Sequence, residues 1–72
     1  MEETWNEKAT NILKSTLTRR NIKYHELAIK LNQMGIEETQ GSISNKISRG
    51  TFSFIFFIQC MEALGMKEFR ID

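Results

Sequence analysis

Gln40, Ser42, Asn45, Lys46 and Arg49 fall within ten residues and share them with only two large apolar side chains, Ile43 and Ile47. A carboxamide donates and accepts at once, so Gln40 or Asn45 suits an adenine edge, while Lys46 and Arg49 supply charge for guanine edges or phosphates. Ile43 and Ile47 stand four apart and can anchor one face of a short helix. The opposite face is then left to Gly41, Asn45 and Arg49, with Ser42 and Lys46 beside them. Gly41 lets the backbone come close to whatever that face meets. No acidic residue interrupts residues 39–61. Such a face fits the floor of a DNA groove. Gln40 has two readings, base reader or helix cap, and Ser44 and Ser48 read as solvent- or backbone-bonded residues.

Other chemistry finds little to work with. His25, Glu26 and Cys60 are the residues from which a nucleophilic site might be assembled. His25 and Glu26 are adjacent on a helical stretch and point apart, and Cys60 sits in an apolar run where a buried structural thiol is expected. There is no glycine-rich phosphate loop and no His, Cys or Asp cluster at ligand spacing. The sequence reads as a non-enzyme with no cofactor, no metal and no pocket signature for a small effector. Trp5 and Tyr24 read as core or half-buried residues, since a platform for single-stranded bases needs several exposed aromatics.

At 72 residues the chain has room for one domain with one small core, residues 1–72. The absence of proline and the 40% hydrophobic content favour a helical bundle. Net charge is only +1, but the charges are segregated. Glu2, Glu3 and Glu7 open the chain, and residues 8–36 carry Lys8, Lys14, Arg19, Arg20, Lys23 and Lys30 against Glu26 alone. Glu37 and Glu38 form an acidic step, after which Lys46 and Arg49 stand unopposed. This permits a basic face without demanding one. A single cysteine and no signal peptide point to a cytoplasmic protein.

Four helical blocks must position these residues. The first opens on Thr4-Trp5-Asn6-Glu7, a capping-box pattern, and its stripe of Trp5, Ala9, Ile12, Leu13 and Leu17 ends near Asn21, a plausible left-handed stop. The second buries Leu27, Ala28, Leu31 and Met34 and stops at Gly35; the third runs from a Thr39 cap to Gly50. The fourth, roughly residues 53–64, is apolar nearly all round. Ile55, Gln59 and Glu62 form a narrow wet stripe, with Phe56, Phe57, Cys60 and Leu64 on one side and Phe54, Ile58 and Met61 on the other. Either the helix is central and buried all round, or Phe54, Ile58 and Met61 meet a second copy of the chain. A strand reading of its Phe and Ile run gives way to the glycine stop after Leu64, and the run is too short to span a membrane. Residues 69–72 alternate in the manner of a short strand, and Phe69 and Ile71 could pair with their copies across a dimer axis.

The order Glu26-Leu27-Ala28, Gly35-Ile36, Ser42-Ile43-Ser44, Ile47-Ser48-Arg49-Gly50 and Glu62-Ala63-Leu64-Gly65-Met66 resembles the helix-turn-helix domain of the Cro and phage-repressor type over about residues 9–66. The chain is also similar, more closely, to a family of short uncharacterised bacterial proteins with an Asn-Lys-x-Ser-Arg-Gly-x-Phe core, here residues 45–52, a likeness that implies no activity. The first resemblance implies an all-α, four-to-five-helix repressor-like bundle of bacterial or phage type, with room for a short C-terminal strand. It implies a homodimeric, sequence-specific double-stranded DNA-binding protein and transcriptional regulator, whose third helix, about residues 39–49, reads a half-site through Gln40, Ser42, Asn45 and Lys46. Arg49, Thr51, Lys23, Arg19 and Arg20 would hold phosphates, with Tyr24 or His25 replacing the usual small polar cap of the second helix. Arg19 and Arg20 serve equally well as solvated cations on a helix dipole, and Arg49 as a partner for the last carbonyls of its helix. The chain departs from the pattern in its second connection, lengthened by residues 36–39. The other class consistent with these residues is a protein-interaction module that uses the Phe-rich fourth helix and leaves DNA alone.

Overall fold

Three of the helices begin where a hydroxyl satisfies a free amide of the first turn. In the computed structural model, which describes residues 2–69 and 71, the elements are α1 (Trp5–Arg19), α2 (Tyr24–Gln33), α3 (Gln40–Arg49) and α4 (Phe54–Ala63). Thr4 Oγ1 accepts from the Glu7 amide while the Glu7 carboxylate accepts from the Thr4 amide, closing the capping box. These bonds hold the Glu7 carboxyl below its ordinary range. Thr39 caps α3 through the Ser42 amide at 3.1 Å, and Ser53 caps α4 through the Phe56 amide at 3.0 Å. α2 has no such hydroxyl; there the Glu26 carboxylate accepts from the Lys23 amide at 3.0 Å.

Three of the four helices end in one way. Asn21, Gly35 and Gly65 take positive φ, and the next amide, of Ile22, Ile36 or Met66, reaches back to the carbonyl of Leu17, Leu31 or Met61. Each of those three apolar residues then packs on the core. The helix stop and the inward turn of the following connection are thus one local motif.

The core is a single cluster that includes Leu13 and Leu17 of α1, Leu27 and Leu31 of α2, Ile43 and Ile47 of α3, and Phe56, Phe57, Cys60 and Met61 of α4. α3 packs on both α1 and α2, and α2 also packs on α4. All-α architecture is therefore as read from the sequence; among the described residues there is neither a fifth helix nor a strand. Arg70 and Asp72 of the expected C-terminal strand lie outside the described residues. Phe69 turns back onto its own chain, its ring 4.7 Å from that of Phe57 in an edge-on contact. Ile71 lines a shallow depression with Lys8, Ile12 and Ser15 of α1.

Three further expectations are corrected. Trp5 is 84% exposed, because α1 meets α3 through Asn6 and Thr10, one position round the helix from the stripe that begins at Trp5. Met34 is exposed because it is the C-cap of α2, and Ile36 takes the inward position after the turn. Met61 is only 8% exposed and belongs to the chain's own core; Phe54, Ile55 and Ile58 are the apolar side chains that α4 leaves uncovered. No helix among the described residues is long and apolar enough to cross a membrane.

Candidate nucleic-acid interface

α3 is held from beneath by two side chains. Ile43 and Ile47 are fully buried, each contributing roughly 1.5–3 kcal/mol on transfer from water. Thr10 of α1 donates its hydroxyl to the Ile47 carbonyl oxygen at 2.6 Å, fixing the C-terminal turn of α3 against α1. Gly50 follows with φ of 69° and lies so close to the Asn6 backbone that a Cβ there would collide with it. The helix is seated firmly, and its outer face consists of Gln40, Gly41, Asn45, Ser48 and Arg49, all exposed, with Ser42, Ser44 and Lys46 half-buried. No hydrogen bond ties the carboxamides of Gln40 or Asn45 to another described residue.

At the N-terminal end of α3 the bundle gathers side chains from three helices. Gln40 lines one shallow depression with Lys23, Tyr24 and His25 from the start of α2 and Lys14 and Thr18 from the last turns of α1. The N-termini of α2 and α3 therefore open on the same hollow, where the helix dipoles favour an anion and the Glu26 carboxylate at the start of α2 opposes one. Partial burial raises the Tyr24 phenol above its ordinary range, so it stays a neutral donor. At the other end Arg49 and Thr51 share a second depression with Lys46, Phe52, Ser53 and Phe56. Arg49 Nε also approaches the Asn45 carbonyl oxygen at 3.4 Å, a long contact.

Two of the cations singled out in the sequence are already engaged. Arg20 donates from Nη1 to the Leu64 carbonyl oxygen at 3.2 Å and ties the end of α1 to the end of α4; Arg19 and Arg20 are both exposed. Lys46 Nζ lies 2.5 Å from Glu38 Oε2 and 4.9 Å from the centre of the Phe56 ring. Its side chain is about one-third exposed, but the Glu38 side chain is 6% exposed and its second oxygen has no hydrogen-bond partner. Lys46 thus spends its charge on a buried carboxylate. Ser42 stands on the same flank, in a hollow lined also by Asn32, Glu37 and Thr39.

Glu38 is the residue that sequence reasoning missed. It was visible only as half of an acidic step. The available signal was its place one residue ahead of the Thr39 cap, where a carboxylate complements the helix dipole, with a lysine two turns along α3. The groups considered for catalysis are apart: Glu26 caps α2, His25 is exposed, and Cys60 is fully buried. The Cys60 thiol is pushed up to about 12, first by burial and second by the charge of Glu38, with Lys46 opposing.

Fold and surface together define a small four-helix domain that displays one polar helix, anchored by two isoleucines, beside a hollow of mixed basic and polar side chains. The chain belongs to the family described as Domain of unknown function (DUF6471), which it matches over residues 5–69. Neither a curated protein nor a solved structure matches it.

Proposed function

We propose that the chain is a sequence-specific double-stranded DNA-binding protein, a small cytoplasmic transcriptional regulator, in which α2 and α3 act as a repressor-like helix-turn-helix and α3 enters the major groove. The observation that carries this reading is the convergence of Gln40 with Lys23, Tyr24 and His25 at the paired N-termini of α2 and α3. Gln40, Ser42 and Asn45 then face base edges, and Lys23, Tyr24, His25, Arg49 and Thr51 hold phosphates at the two ends of the helix. Arg19 stands close enough in sequence to the α1–α2 turn to join them. Arg20 is the weaker member of this set, because one of its guanidinium N–H groups is bonded to the Leu64 carbonyl oxygen at the end of α4. Lys46 contributes little while Glu38 holds it.

Equilibrium titration of a fluorescent duplex at several salt concentrations tests the reading. Lys23→Ala and Arg49→Ala should each reduce the salt slope by about 1 and weaken binding to every sequence alike. Asn45→Ala should cost about 1–3 kcal/mol on a preferred site and little on others. A wild-type chain that ignores duplex DNA at about 50 mM salt sinks the proposal. A second reading, a protein-interaction module without DNA binding, draws on the exposed Phe54, Ile55 and Ile58 and on the net charge of only +1. That same indifference to DNA, found in a chain that is also monomeric, favours it.

A further inference from the structure

We infer that a second copy of this chain covers the aromatic groove along α4. The inference stands apart from the DNA reading. The groove is lined by Phe54, Phe57, Ile58, Met61, Met66 and Phe69. Along it Phe54 stacks on Phe57 with ring centres 6.5 Å apart, and Phe69 meets Phe57 edge-on. Phe54 is 71% exposed, Ile55 68% and Ile58 50%. A contiguous apolar run of this kind marks an interaction surface.

The identity of the partner follows from the rim and the shape. Glu62, Lys67 and Glu68 border the groove, so both signs of charge are present with an acidic excess. That rim repels phosphates and an anionic bilayer. Under a two-fold axis it pairs with itself, Lys67 of one copy opposite Glu62 or Glu68 of the other. The same turns of α4 supply a ridge, Phe54, Ile55 and Ile58, and the hollow beside it, with Met61, Met66 and Phe69. A self-complementary patch needs both features on one surface. Two phenylalanines and two isoleucines exposed to this degree offer on the order of 500 Å² of apolar surface, and with the rim this approaches the ~800 Å² per partner of a standard interface. The core that holds the monomer is small, with no disulfide or metal among the described residues, so association adds stability where the fold needs it. α3 packs on α1 and α2 and lies outside this groove, so the dimer leaves its polar face open.

Sedimentation of the full chain between about 5 and 200 μM reads the outcome without DNA. The wild type should sediment at twice its 8.4 kDa. Ile58→Asp and Phe54→Asp, at exposed positions that open no core, should each raise the dimer dissociation constant at least about thirtyfold while circular dichroism stays helical. Lys67→Glu should raise it severalfold, and Ile29→Asp, on the exposed face of α2, should leave it unchanged. A wild type that stays monomeric at about 200 μM overturns the inference. So does an Ile58→Asp chain that folds and still dimerises like the wild type, since the copies then meet elsewhere.

Discussion

Lys46 and Glu38 show how one carboxylate can redirect a cation. On a helical wheel Lys46 belongs with the exposed polar face of α3, yet its ammonium folds back to Glu38 and over the Phe56 ring. The pair joins the α2–α3 connection, α3 and α4 at one point. Removing one partner strands the other, so Lys46→Met should cost about 2 kcal/mol in urea unfolding, and the double variant with Glu38→Gln should cost less than the single. The reverse order, a double variant worse than the sum, would show that the pair is not the unit. In the duplex titration Lys46→Met should leave the salt slope nearly unchanged, unlike Arg49→Ala. Cys60 gives a second test at this scale. Its thiol is raised from an ordinary 9.0 to about 12, so the fold favours the protonated form. The stability this contributes is complete below about pH 9 and is lost as pH rises toward 12. The melting temperature should fall over that window, less steeply in Cys60→Ala, and a thiol reagent at pH 8 should modify Cys60 only as fast as the chain opens.

The helices follow from local chemistry, which is why so much of the fold is legible in the sequence. Thr4 with Glu7, the Thr39 cap, Asn21 and Gly35 all do in the structure what their types and spacing announce. Gly50 carries two demands at once, a left-handed φ and close approach to Asn6, so Gly50→Ala should cost about 2 kcal/mol or more. Gly41 lies inside α3 with open space where a Cβ would stand, so Gly41→Ala should stabilise the chain by about 0.5–1 kcal/mol in the same assay. Opposite signs at two glycines nine residues apart would separate the packing of α3 from its exposed face; a loss at both would place Gly41 against something inside the protein. What periodicity could not supply was the rotation of α1. Trp5 and Asn6 differ by one position, and only the seat of Gly50 and Thr10 decides which of them faces α3. Met34 is exposed for a similar reason: its spacing is helical, but the helix has already ended.

At the scale of the molecule, two helices seat the third. α1 and α2 hold the buried side of α3, while α4 closes the core with Phe56, Phe57 and Cys60 and turns Phe54, Ile55 and Ile58 outward. The composition of α4 announced two apolar sides, but which residues lie on each depended on the tail. Phe69 packs edge-on against Phe57 at the groove, and Met61 is buried in the chain's own core. Of the candidate interface, Gln40, Asn45 and Arg49 were legible because exposure follows from the Ile43–Ile47 anchor. The gathering of Lys23, Tyr24 and His25 around Gln40 was not, because it depends on how α2 and α3 meet across the lengthened connection. A dimer through α4 would carry two copies of α3 and read two half-sites.

Selection of bound duplexes from a random pool, at about 100 mM salt, puts the central claim to the most direct test, since binding, specificity and half-site spacing are read together. Enrichment of one motif built of two related halves about one helical turn apart is expected, lost when Asn45 is changed to alanine. A pool recovered with no sequence enriched over the input would contradict it.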